Sequence, residues 1–329
     1  MKKAKKITAV IMVLVMLVTA FAGCGSENGS SSSQAGAGNM KILAVVADLD
    51  AFRQTLTDAA VKEAESRGMT LDIVTTPSSD EQVAAMEQAE GQGYQVILCN
   101  PVDVDTALQL EIAAGNLPVV FFNSCPAEKR LEKGKYIYAG SDDGDAGTFQ
   151  AQYVLDHVSS QELNVVLFKG SKGHSATVGR TEAVKKIFAE SGRQVNYVFE
   201  DYADWDTEKT KHMFELFLKT GQTADCVICN NDSMALGVIE ACKENNIDPS
   251  SIPILGVDAT ADGCAAVAAG EMSYTVCQSA EGQGKACIDA AEALAAGGDI
   301  SGVDYATDNQ LYIYVPFEPV TKDNVADYQ

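Results

Sequence analysis

"VILCNPVD" at residues 96–103 and "CVICNNDS" at residues 226–233 decide the fold. Each is a short apolar run that ends in Cys-Asn and opens into an amphipathic segment. Such a run, bounded by turn-forming polar residues, reads as a strand buried on both faces. Its recurrence in the second half of the chain implies one structural unit used twice.

Working outward, further apolar runs at 42–46, 71–74 and 119–122 surround the first copy. Runs at 165–168, 195–199 and 254–257 surround the second. Helical patterns separate them at 55–67, 81–92, 105–114, 181–191, 208–219 and 233–246. Alternation of this kind predicts an α/β protein with parallel sheets covered by helices on both faces. The 329 residues suit two domains of about 150 residues each. We expect two doubly wound parallel-sheet lobes. Residues 40–140 plus 280–311 form the first, and residues 141–279 plus 312–329 the second. The chain would cross between lobes three times, near 138–142, 278–280 and 310–316, making a three-strand hinge.

The amino-terminal residues carry an export signal. Lys2, Lys3, Lys5 and Lys6 precede an almost unbroken apolar stretch at 7–22. Residues 1–23 are expected to be a signal peptide. Its end, Phe21-Ala22-Gly23-Cys24, resembles a bacterial lipobox, which implies lipidation of Cys24 after cleavage. A plain signal peptide with an incidental Cys is the alternative. Residues 24–39, rich in Gly, Ser and Ala, would form a flexible tether. No other apolar run approaches the ~20 residues of a spanning helix. The expected location is the outer face of the bacterial cell membrane.

The chain holds 46 acidic and 24 basic residues, a formal charge of −22, and loss of the leader removes four of the lysines. That balance argues against a nucleic-acid partner. Nine cysteines in an exported chain raise the question of disulfides. Most sit in apolar runs or helical patterns and read as small buried hydrophobes. Cys226 and Cys229 form a CxxC, but residues i and i+3 of a strand face opposite ways and cannot easily share a metal. No metal and no cofactor is expected.

In doubly wound sheets, ligands bind beyond the carboxyl ends of the strands. Those ends here carry Asp48, Asp50, Asn100, Asn123, the loop 169–174, Trp205, Asn230, Asn231, Asp258 and Gln278. Carboxylates, amides and rings together suit a polyhydroxylated ligand, because each hydroxyl donates and accepts while C–H faces stack on rings. The loop "LFKGSKGHSATVGR" at 167–180 tests two rivals. A phosphate loop needs GxxxxGK[ST], which is absent. A serine elbow needs GxSxG, and Thr177 stands where the second Gly belongs. His174 and Arg180 could instead serve a ligand, or could simply cap a helix and pair at the surface.

Several spaced blocks carry a family resemblance: "PVVFFN" (118–123), "FKGSKGHSATVGR" (168–180), "DWDT" (204–207), "NNDSMALGVIEA" (230–241), "IPILGVDA" (252–259) and "KDN" (322–324). The chain from about residue 40 resembles the type I periplasmic sugar-binding proteins of ABC importers, most closely their galactose/glucose-binding branch. The resemblance implies the Venus-flytrap form of the two-lobe fold. It implies hydrogen bonds to sugar from Asp50, Asn123, His174, Arg180, Asn231 and Asp258, with Phe52 and Trp205 stacking on the ring. Gln278 falls at a hinge position where the family has an amide, and Asn100 matches a binding Asn of ribose-binding relatives. It further implies a monomer that binds a monosaccharide, galactose- or glucose-like, and delivers it to an ABC permease without catalysis. Presentation of a sugar or sugar-like signal to a chemoreceptor or sensor kinase is the alternative. Two departures stand out. The branch has an acidic residue where this chain has Ala176, and residues 159–164 lack the Asp-rich spacing of a calcium loop.

Overall fold

The computed structural model describes residues 40–329; the expected signal peptide, Cys24 and the expected tether lie outside the described residues. The chain begins with β1 (Lys41–Val46), α1 (Ala51–Ser66), β2 (Thr70–Thr75), α2 (Ser79–Ala89) and β3 (Val96–Asn100). Next come α3 (Ala107–Ala113), β4 (Val119–Phe122), β5 (Tyr136–Gly140), α4 (Asp143–His157), β6 (Glu162–Lys169) and α5 (Ser175–Glu190). Then follow β7 (Gln194–Tyr202), α6 (Thr207–Lys219), β8 (Cys226–Cys229), α7 (Asp232–Glu244) and β9 (Ile254–Leu255). The chain closes with α8 (Ala261–Ala269), β10 (Thr275–Gln278), α9 (Ala280–Ala295), β11 (Tyr312–Tyr314) and β12 (Phe317–Val320).

The first sheet has strand order β11-β5-β4-β3-β1-β2, parallel throughout. The second runs β7-β6-β8-β9, also parallel. Parallel bridges from Leu255 to Tyr274 and from Asp258 to Cys277 extend it toward β10, which pairs antiparallel with β12. In both lobes the first strand lies between the second and the third. That reversal is the topological switch at which a crevice opens beyond the strand ends.

The continuous apolar runs follow from burial on both faces. Ile42, Ala44, Val46, Leu98 and Val120 pack with Leu56 and Ala60 of α1 and Ile288 and Ala291 of α9. The alternate residues Leu43, Val45, Ile97, Cys99 and Phe121 face Met86 of α2 and Leu110 of α3. In the second lobe Val165, Leu167 and Cys226 face α4 and α5, while Val166, Val227 and Cys229 face α6 and α7. Cys226 and Cys229 thus point to opposite faces, and among the described residues the eight cysteines from Cys99 to Cys287 are unpaired. Each fully buried Leu, Ile or Phe contributes about 1.5–3 kcal/mol.

Three segments join the lobes: between β5 and α4, between β10 and α9, and between β11 and β12. The sequence places the last boundary at 311/312, but Tyr312–Tyr314 pairs with Tyr138–Gly140 in the first sheet. The third crossing is therefore at 315–316. The crossings are tied together: the Ser141 hydroxyl donates to Val315 O at 2.7 Å and accepts from Gln283 Nε2 at 2.9 Å.

Helices α4 and α5 pack tightly, and Gly147 marks the closest approach. A Cβ there would fall on the carbonyl oxygen of Arg180, well inside contact distance. Alanine improves helix propensity by up to ~1 kcal/mol. Overpacking costs about 1–3 kcal/mol, and a backbone oxygen cannot rotate away. Gly147→Ala is therefore expected to lower stability in urea denaturation; a variant as stable as its parent would show that the two helices separate freely.

Candidate functional site

The strand ends of both sheets meet at two connected hollows. The inner recess, about 30 Å³, is lined from the first lobe by Asp50, Phe52, Arg53 and Asn123. From the second come His174, Arg180, Trp205, Asn231, Asp258 and Gln278, with Ala176. Above it opens a cleft of about 760 Å³ that shares the walls Asp50, Arg53, His174 and Trp205. The structure brings together every residue expected at the site except Asn100, which lines the outer cleft. The Asn100 amide oxygen accepts from Ala47 N at 3.3 Å, and its amide nitrogen donates to Phe122 O at 3.5 Å. It clamps two strand ends instead of reaching the recess.

Three of the wall residues are also helix N-caps. Asp50 caps α1, accepting from Arg53 N at 2.8 Å. His174 caps α5 through Nδ1, which accepts from Ala176 N at 3.2 Å. Asn231 caps α7 through Oδ1, which accepts from Met234 N at 3.0 Å. Capping decides what each residue shows the recess. With Nδ1 an acceptor, His174 carries its proton on Nε2; with Oδ1 engaged, Asn231 has its amide N–H groups to offer. Gln278 is oriented alike, its Oε1 accepting from Arg180 at 2.8 Å. The Asn123 Oδ1 accepts from Arg53 at 3.3 Å and from Asn100 at 3.4 Å, which leaves its amide nitrogen as donor.

Arg180 is buried. Its Nε donates to Asp143 at 3.1 Å, Nη1 to Asn230 O at 2.6 Å and Nη2 to Gln278, while Nη1 lies 3.7 Å from Asp258. Burial pushes the Asp258 carboxyl well above the usual carboxylate range, with Arg180 opposing and Asp232, Asp50 and Asp143 adding. Burial first, then Arg53 and Arg180, holds the His174 imidazole down to about 3, so it is neutral at physiological pH. Trp205, at φ +66°, stands edge-on to His174 with ring centroids 5.3 Å apart. A Cβ on Gly170 would penetrate the Trp205 ring, so this glycine of the loop serves aromatic packing.

A family profile described as a periplasmic binding protein domain matches residues 42–299. The chain belongs to the periplasmic binding protein family. A putative rhizopine-binding protein of Rhizobium meliloti is 32% identical over 274 residues, 80% of this chain and 85% of that protein. A D-galactose/methyl-galactoside binding periplasmic protein of Haemophilus influenzae is 28% identical, covering 91% and 95%. Among solved structures, an ABC transporter solute binding protein from Bacillus halodurans with bound myo-inositol matches with TM-score 0.77 and 26% identity, covering 90% and 99%.

Two side chains of this periplasmic binding protein's site escape sequence reading. Arg53 pairs with Asp48 and, at 2.9 Å, with Asp50. The spacing predicts a helix from 55, whereas capping by Asp50 starts α1 at Ala51, so Arg53 turns onto the wall. Asp143, the first residue of α4, reaches Arg180 from a different element and has no local signature. Helix α5 likewise begins at Ser175, six residues before the predicted start, because His is an uncommon N-cap. Arg180 thus lies one and a half turns inside the helix and not at the surface.

The folded His174 pKa of about 3 lies below the ordinary value of 6.5. Between those values the unfolded chain binds the extra proton, so acidification from pH 7 costs stability. At pH 5 the loss approaches about 2 kcal/mol. Asp143 and Asp232, each raised by burial to about 6, act in the opposite direction below that pH. His174→Gln should therefore lose less stability than the parent between pH 7 and pH 5 in denaturant titrations, whatever its cap costs at neutral pH. Equal losses would contradict a buried neutral imidazole.

Proposed function

We propose that this protein captures a neutral polyhydroxylated ring, a hexose or cyclitol, between its lobes and hands it to an ABC importer. The observation that carries the reading is the oriented donor set at the recess. The donors of His174, Asn231, Gln278 and Asn123 stand with the carboxyls of Asp50 and Asp258 and the rings of Phe52 and Trp205. Hydroxyls match such a set and sugar C–H faces match the rings, and because the recess of about 30 Å³ is smaller than any such ring the lobes must part to admit it. The named ligands of the relatives, galactoside, rhizopine and myo-inositol, support the same class. A galactose- or glucose-like hexose stays within the proposal, while Ala176 removes one acceptor that such a ligand would use.

The site suits binding without turnover. His174 is neutral with Nδ1 engaged in the cap, and the Ser175 hydroxyl accepts from Cys125 N at 2.9 Å. Neither is arranged as a nucleophile–base pair. Ligand contacts to both lobes favour the closed form, with the three crossings as hinge. A hydrogen bond to a charged group contributes about 1.5–3 kcal/mol, so three or four reach micromolar binding, about 8 kcal/mol.

Trp205 is the sole tryptophan. Titration with D-galactose, D-glucose, D-ribose and myo-inositol is expected to change its fluorescence saturably, with matching calorimetric heats. Trp205→Ala is expected to weaken binding by about tenfold. No saturable response by either method to any of these ligands would refute the reading. We further propose that lipid on Cys24 anchors the mature chain. Cys24→Ser should move the protein from the detergent to the aqueous phase of a Triton X-114 partition, and unchanged partition would exclude the anchor.

A further inference from the structure

Arg180 contacts a residue flanking each of the three segments that cross between the lobes. Its Nε bonds to Asp143, the first residue after the first crossing. Its Nη2 bonds to Gln278, the last residue before the second. Its Cζ lies 5.7 Å from the ring centroid of Phe317, which opens β12 after the third. The same guanidinium lines the recess beside Asp258. The planar fork bonds to three acceptors, Asp143, Gln278 and Asn230 O, and of these Asp143 alone is a carboxylate. The side at issue is Asp143, whose side chain is only 10% exposed.

We propose that Asp143 is a positioning residue for ligand binding. By charge and by its bond from Nε it fixes the Arg180 guanidinium, so that the recess and the three crossings move as one unit. Asp143 does not line the recess and acts through Arg180. Gln278 and Asn230 O remain as acceptors when the Asp143 charge is removed, but neither is ionised and neither engages Nε. All three bonds are charge-assisted by the guanidinium, and the one to Asp143 alone adds the attraction of an opposite charge. Complete truncation of Arg180 would leave Asp143 and Asp258 buried and unpaired, which makes Arg180→Gln the better background for a test.

The affinity arm rests on the sugar-binding reading, and the spectroscopic arm does not. By calorimetry with whichever of D-galactose, D-ribose and myo-inositol binds the parent, Asp143→Asn is expected to weaken affinity about tenfold or more. In an Arg180→Gln background the same substitution should change affinity less than about twofold. Equal losses in the two backgrounds, or unchanged affinity in the first, would overturn the proposal. In the unliganded protein, the Arg180 Nε–H resonance, assigned by its loss in Arg180→Gln, should be protected from exchange. It should shift and exchange faster in Asp143→Asn. A resonance that is already unprotected in the parent, or unmoved by the substitution, also overturns it. If no sugar binds the parent, the functional reading falls while this resonance still decides the role of Asp143. If Asp143→Asn does not fold, Asp143→Glu takes its place, and a resonance unmoved in that variant overturns the proposal equally.

Discussion

Parallel pairing is the constraint on which the rest depends. When all strands of a sheet run one way and both faces are covered by helices, apolar residues fill the interior of the central strands. Polar side chains are then confined to the ends. Here the carboxyl ends of β1, β3 and β4 gather Asp50, Asn100 and Asn123, while those of β6 and β8 lead to His174 and Asn231. The helices that follow β1, β6 and β8 start at the same edge, so these strand ends are also helix N-termini. Site and fold are built from the same backbone turns.

That coincidence gives the capping residues two tasks with one geometry. A cap accepts a hydrogen bond from the first helical turn, and this fixes the tautomer of His174 and the amide orientation of Asn231. The donors presented to the recess are thereby set by the helices before any ligand arrives. Preorganisation of this kind lowers the ordering cost of binding. For His174 and Asn231 a helix cap and a place on the recess wall are compatible, since capping with one atom leaves another free.

Legibility in the sequence follows the same division. Strands buried on two faces were legible where they leave an uninterrupted apolar run, as β4 at the predicted 119–122, whereas β5, equally buried but written Tyr-Ile-Tyr-Ala-Gly, was not read as a strand. Helix starts were legible only where ordinary caps stand. Asp206 before α6 places its start within one residue, while His174 hides that of α5. Recess residues at strand ends could be read from position. Arg53 and Asp143 could not, because one depends on where α1 begins and the other on a contact between separate helices. The exchange of Tyr312–Tyr314 to the first sheet was hidden for a related reason: three residues carry no periodicity that names a partner strand.

Ala176 separates the demands of the helix from those of the ligand. It lies in the first turn of α5, where the helix dipole favours an acid by roughly 0.3–1 kcal/mol. The chain places a methyl group there, buried against the recess. Alanine's own helix propensity offsets most of that gain, so the helix tolerates either residue and the difference is felt at the recess wall. Without an acid at that position, Asp50 and Asp258 are the carboxyls on the wall, facing the donors of His174, Asn231, Gln278, Asn123 and the two arginines. Burial further holds Asp258 toward its protonated form, in which it too can donate. The arginine donors are engaged by Asp48, Asp50, Asn123, Asp143, Asn230 and Gln278, so the donors open to the recess are the amides and the His174 imidazole. Such a wall is matched to hydroxyl chemistry from both sides, since a hydroxyl oxygen accepts from amides and imidazole while its proton goes to a carboxylate.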